Sequence, residues 1–340
     1  MTPKSLGLRP YWTLLLTAIM ACLLSCDLFH RPDRTHLFPV VRDPGGPEER
    51  WGYINQHGEL VIGFQFLYAH DFCEDLAVAA ADDEREGYID RSGRWAIAPR
   101  DWSAWSFHEG RAAVYTYHVG TGIIDTKGNF IVPQSQRDLG NYSCGRAPFR
   151  GTAGWGYLDR DGNVAIQPDQ RFQHAFEFRE GLARVVDGEY NNAVIDTTGA
   201  VVIPFQPNYF GNFSEGLTPY WDYVTHLHGY VNRLGDIVIQ PQFEGCGDFS
   251  EGVAAVRTAD GWGYIDHSGA WVVPPRFQWA EEFSEGLAMV QVDTLWGYID
   301  AAGNTRIEPR FQWATSFKEG LASVDHWSYI DTLGRYVWRQ

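Results

Sequence analysis

The sequence predicts an all-β protein made of tandem three-stranded β-meander repeats of about 35 residues. Three observations predict it. A turn of the form Asp/Asn-x-x-Gly recurs nine times, with glycines at Gly58, Gly93, Gly128, Gly162, Gly199, Gly235, Gly269, Gly303 and Gly334, spaced 35, 35, 34, 37, 36, 34, 34 and 31 residues apart. The segments flanking each turn are short and rich in β-branched and aromatic residues, as strands are. A second turn, Phe-x-Glu-Gly in its clearest form, leads into an Ala-x-Val alternation at Ala112/Val114, Ala183/Val185, Ala254/Val256, Ala288/Val290 and Ala322/Val324. A fixed period of this size marks a repeat architecture in which each unit is stabilised by its neighbours.

Each element has a local reason. In the clearest unit, 262–295, Asp266 and Gly269 hold the first and fourth positions of a type I turn, so Trp262-Gly263-Tyr264-Ile265 and Trp271-Val272-Val273 should form a hairpin. Pro99, Pro133, Pro168, Pro204, Pro241, Pro274 and Pro309 follow that second strand and are expected to end it, since proline cannot donate to a ladder. The Ala-x-Val pairs share one face of a third strand and are expected to be buried. No unit has a core of its own. Thirty-five residues is short beside the ~40–45 of a four-stranded blade, so the expected arrangement is an open solenoid-like array, with a closed propeller-like ring as the alternative. The last segment, 329–340, would cap the array or complete the first unit of a ring.

The Trp-Gly pairs at Trp51-Gly52, Trp155-Gly156, Trp262-Gly263 and Trp296-Gly297, together with the two turns, resemble the WG-repeat (KWG-repeat) family. The resemblance covers residues 51–340 as eight repeats and a terminal half-repeat. It implies a repeat fold and a bacterial lipoprotein's compartment; the family has no shared activity to carry over.

The N-terminus points the same way. Lys4 and Arg9 precede an uncharged stretch, Tyr11 to Leu24, too short to span a bilayer comfortably. It ends in Leu23-Leu24-Ser25-Cys26, which resembles the lipobox of bacterial lipoproteins; Cys22 is a second possible cleavage point. The expected organisation is a signal peptide over 1–25, a lipidated Cys26 with a Pro- and Gly-rich flexible tether over 26–50, and the repeat domain over 51–340. That places the protein in the bacterial cell envelope, anchored to a membrane by lipid.

Composition narrows the function. With 43 Asp and Glu against 27 Lys and Arg, the net charge of −16 argues against a nucleic-acid partner. Phosphate-loop, nucleophile-elbow, zincin and dinucleotide motifs are missing. Glu109, Glu180, Glu215, Glu251, Glu285 and Glu319 recur in step with the repeat, as do the aspartates of the first turn, whereas a catalytic acid and base form a unique pair. Both sets are read as turn and local hydrogen-bonding residues. Asp159-Arg160-Asp161-Gly162-Asn163 lacks the later acidic ligand of a calcium loop, and His226-Leu227-His228 has no nameable third metal ligand. No metal or cofactor is expected. Cys73, Cys144 and Cys246 are read as small buried hydrophobes, at least one of them without an intramolecular partner.

Aromatics are the better binding candidates. Trp279 and Trp313 share one repeat position, held earlier by Tyr68 and His174. The fifth unit breaks its own rule with Pro219-Tyr220-Trp221-Asp222-Tyr223, and Trp102 and Trp105 form a weaker cluster. Tyr220, Trp221, Tyr223, Trp279 and Trp313 are the candidate ligand-binding residues. The reading is a non-catalytic binding or scaffolding module whose partner is a protein or glycan of the envelope. The alternative is a carbohydrate or peptidoglycan binder using aromatic rows. A third reading, a hydrolase hidden in unit five, would use Asp222, His226 and His228.

Overall fold

The computed structural model describes residues 36–135 and 138–339. Among them every regular element is a β-strand, and no helix is long and apolar enough to cross a membrane. The strands form nine small antiparallel sheets, spanning 37–66, 77–100, 103–135, 147–169, 174–206, 209–243, 245–277, 279–311 and 321–338.

The eighth sheet shows the plan, with strands Trp279–Ser284, Leu287–Val292, Leu295–Asp300 and Thr305–Phe311 in sequence order. Its first two strands belong to the repeat that begins at Trp262, and its last two to the repeat that begins at Trp296. Each sheet therefore straddles a repeat boundary. The expected three-stranded meander within one repeat is corrected to a sheet of up to four strands drawn from both sides of a repeat boundary.

The prolines do not end their strands either. Tyr264 pairs with Val273 and Trp262 with Phe277, so Pro274 and Pro275 sit in a bulge of the outer strand, where a missing N–H costs nothing. That bulge explains the glycine of the Trp-Gly pair: a Cβ on Gly263 would lie 2.5 Å from the Val273 carbonyl oxygen.

The alternative arrangement, a closed ring, is the one formed, and the preference for an open array is corrected. Buried apolar clusters lie between successive sheets, such as Tyr264, Val273, Phe283, Ala288 and Val290 between the seventh and eighth. One further cluster joins the last sheet to the first: Leu321 and Tyr329 pack with Phe38, Val40 and Ile54. Across this seam the rings of Trp51 and Trp327 meet at 4.8 Å, and Gly58 lies against the Val337 carbonyl. The repeated Tyr hydroxyls confirm the register. Tyr53, Tyr88, Tyr157, Tyr230, Tyr264 and Tyr298 each donate to a carbonyl of the following sheet, and Tyr329 donates to Pro39 O at 3.0 Å.

Pro39 lies in the strand Leu37–Arg42, which pairs with Arg50–Asn55. The folded domain therefore reaches back into the segment assigned to the tether, which is corrected accordingly. The signal peptide and Cys26 lie outside the described residues.

Candidate functional site

Strands alternate in direction, so both glycine turns of every sheet fall at one end of the ring, and the hairpin loops and sheet-to-sheet connections fall at the other. The two ends do different chemistry.

At the turn end the carboxylates are committed. Asp266 Oδ1 accepts the backbone N–H groups of Ser268 and Ala270 at 2.9 and 3.1 Å, and these bonds with that of the Ser268 hydroxyl hold its carboxyl below the usual range. Glu285 and Gly286 have φ of 56° and 77°, which makes Glu-Gly the centre of a two-residue hairpin of type I′. Asn is the usual occupant and glutamate is strained there. Glu is used because it reaches sideways: Glu285 accepts the Gly320 N–H at 2.8 Å and Glu251 accepts that of Gly286 at 3.0 Å, each in the next sheet. The hydrogen bonds of these glutamates are therefore not local, as expected from sequence, but join successive sheets. Arg160 and Arg233 reinforce Glu109 and Glu180. In the fourth sheet Cys144 takes the glutamate's place, at φ 52°.

Around the axis, the innermost segments set buried Phe between polar neighbours. Arg179 of the fifth sheet acts electrostatically on His108 of the third, Asp248 of the seventh and Glu282 of the eighth, a reach possible only near the centre. Burial pushes the Asp248 carboxyl up to about 6. Burial, and then the charge of Asp248, push Glu282 up to about 7. No group of three or more metal-ligating side chains is assembled among the described residues.

The loop end carries exposed rings. Trp279 and Trp313 are 43% and 40% exposed, Trp279 beside Trp262 at 5.2 Å and Trp313 stacked on His326 at 5.7 Å. Tyr223 is exposed and Trp221 half-buried; with His226 they form a cluster with centroid separations of 5.5 to 6.3 Å. Tyr220 is corrected from a ligand residue to a core residue. It stands where other sheets have the buried Val, packs on Phe210, and its hydroxyl bonds Asn208 and Asp222. The candidates of the sixth, eighth and ninth sheets thus share one end of the ring without forming one site. Trp102 is buried, its indole N–H donating to Glu86 O, and Trp105 is exposed. Asp222 is taken up by Thr225 within its own loop.

Comparison with known proteins decides the family. The WG containing repeat matches residues 51–83, 87–116, 155–190, 194–220, 229–261, 262–294 and 296–325. The chain belongs to the WG-repeat family. No curated protein matches it. Among solved structures it is similar to the computationally designed protein Ika8, at 11% identity and a TM-score of 0.46, covering 80% of this chain and 95% of that one. BamB from Moraxella catarrhalis is similar at 11% identity and 0.40, covering 79% and 97%. The dihydro-heme d1 dehydrogenase NirN is similar at 11% and 0.45, covering 84% and 75%.

Two WG repeats lack the Trp and Tyr of the others: the third sheet has Thr121 and Ile123 there, and the fifth departs further by adding an arginine. Where most repeats have Trp or Tyr side chains facing the next sheet, the fifth sheet has Asn192 and Val194. Arg184 fills the space, at a position that holds Pro39, Val78, Ala113, Pro148, Pro219, Ala255, Met289 or Ser323 in the other sheets. Its guanidinium lies between Phe176, at 3.7 Å, and Tyr209, at 4.3 Å. The signal in the sequence was the lost Trp-Gly-Tyr, not a gained residue. The cysteines are mixed: Cys144 and Cys246 are free thiols, whereas Cys73 is buried and disulfide-bonded.

Proposed function

We propose that this WG-repeat ring is a non-catalytic binding or scaffolding module of the bacterial cell envelope, held to a membrane through lipid on Cys26. One observation carries the binding role: carboxylates of the turn end accept bonds within and between sheets, while exposed rings are more numerous at the loop end, with Trp279, Trp313, Tyr223 and Trp327 among them, than beside the turns, where Trp95, Phe130, Trp271 and Tyr336 face solvent. Exposed aromatics set in a rigid frame supply contact area at low entropic cost. A photo-crosslinking residue at Trp313 should capture an envelope partner that the same residue at Lys127, on the turn end, does not. Equal capture from both ends, or none from either, would refute the reading.

A glycan partner is the second reading, favoured by the number of exposed rings at that end. The repetition and commitment of the carboxylates support a protein without catalysis.

Lys4, Arg9, the apolar stretch and Leu23-Leu24-Ser25-Cys26 support the anchor. Cys26→Ser should abolish palmitate labelling and release the protein from membrane; labelling that persists until Cys22 is also changed would move the cleavage point.

A further inference from the structure

We propose that the loop end between the fifth and sixth sheets binds a carboxylate-bearing sugar, with Arg184 as the carboxylate receptor and neighbouring rings as the stacking surface. The proposal rests on the binding role given above and names a ligand class for it.

The argument starts from the arginine. In a chain of net charge −16, carboxylates are plentiful, yet among the described residues none forms an ion pair with Arg184. What holds it is not charge. Its guanidinium carbon lies over the ring of Phe176 at 3.7 Å and over that of Tyr209 at 4.3 Å, and Nη1 donates to Asn192 Oδ1 at 3.0 Å. Two ring contacts and one hydrogen bond restrain the group, and its remaining N–H donors are what it can offer a ligand. A guanidinium edge offers parallel N–H donors in the geometry of a carboxylate, and a fixed one loses little entropy on binding.

The surroundings favour a sugar over a free anion. Phe176 and Tyr209 are 40% and 45% exposed. Tyr209 is the strand partner of Trp221, which in turn meets Tyr223 and His226, so ring surface continues away from the arginine along the sixth sheet. Tyr190 stands 80% exposed on the adjoining loop of the fifth sheet. Pyranose C–H faces stack on such rings, and a carboxylate on the sugar selects the end of the row at which Arg184 sits. An inorganic anion would use the arginine and ignore the rings; a neutral glycan would use the rings and ignore the arginine. The two together specify a uronic acid or a sugar carrying a carboxylate-bearing ether.

Calorimetric titration of the full chain tests this with three probes of similar size: trigalacturonate, uncharged galactotriose and a triglutamate peptide. Trigalacturonate should bind and the other two should not. Arg184→Gln and Arg184→Lys should each weaken it by about tenfold or more, the lysine because it lacks the planar fork. Tyr223→Ala, on an exposed loop, should weaken it by about threefold or more, and carries the test should the Arg184 variants fail to fold. Equal binding of galactotriose, or unchanged affinity in folded Arg184→Gln, would overturn the carboxylate assignment. Binding of triglutamate in place of trigalacturonate, or of none of the three, would overturn the sugar. Crosslinking from Trp313 is independent of Arg184, so its persistence would confine the failure to this inference, and its loss would remove the binding module as well.

Discussion

Closure of the ring can be tested by one oxygen atom. Tyr264 and Tyr329 occupy the same place in their repeats and each donates a hydroxyl bond across a sheet boundary, Tyr264 to Glu281 O at 2.7 Å and Tyr329 to Pro39 O at 3.0 Å. The first boundary exists in an open array and in a ring; the second exists only in a ring. Both side chains are buried, at 0% and 9% exposure, so the matching phenylalanine leaves a carbonyl without its donor. Such a loss costs about 1–3 kcal/mol. At tenfold per 1.4 kcal/mol, amides protected by the boundary should exchange roughly five- to 150-fold faster. Hydrogen exchange read by mass spectrometry on peptides covering Leu37–Arg42 and Ser328–Asp331 is the assay, with Tyr264→Phe as the internal reference. Tyr329→Phe should accelerate both seam peptides together. If Tyr264→Phe loosens its boundary while Tyr329→Phe leaves the seam unchanged, the ends do not meet and the ring is wrong.

Other consequences follow from the same geometry. Glu285→Asn places a residue better suited to φ of 56° but too short to reach Gly320, so it should lower stability by about 1 kcal/mol in urea unfolding; a neutral or stabilising result would show that the inter-sheet bond does not outweigh the strain of the turn. Asp248 and Glu282 titrate above the ~4 of unfolded carboxyls, at about 6 and about 7, so the native state holds more protons and stability should fall as pH rises from about 4 to 7. Asp248→Asn with Glu282→Gln should flatten that decline, and an unchanged profile would remove these groups as its cause. Burial pushes the Cys246 thiol up to about 12, so iodoacetamide at pH 8 should label Cys144 first; the reverse order, read on tryptic peptides, would contradict their placement.

Turn chemistry was the most legible part of the fold. Asp266 and Gly269 specify their hairpin through contacts within five residues, and Ala288 and Val290 betray their burial by period two. The innermost strand was not legible. Trp279-Ala280-Glu281-Glu282-Phe283-Ser284 reads as a polar loop because its Glu282 and Ser284 face neighbouring sheets rather than a core, Ser284 donating to Phe317 O. Arg184 was hidden for a related reason: its meaning comes from the absence of two rings across the strand, and a motif search weighs what is present.

Open or closed was the hardest question, and the reason is geometric. Every boundary in a repeat array uses the same contacts, so those contacts are blind to whether the last boundary exists. Nine sheets close a circle at about 40° each, and an array with slightly less rotation per sheet would spiral past its own start with identical local packing. What breaks the tie must lie outside the repeat, and it does: the strand Leu37–Arg42 precedes the first Trp-Gly and carries Phe38 and Val40 into the cluster with Leu321 and Tyr329. Read in isolation, its Pro39 and the Pro44-Gly45-Gly46-Pro47 run after it signal a linker. Read as an edge strand, Pro39 loses nothing by lacking an N–H, because what the seam takes from it is its carbonyl. The same strand supplies the first sheet with the partner that its repeat does not encode, so closure and completion of the first sheet are one event.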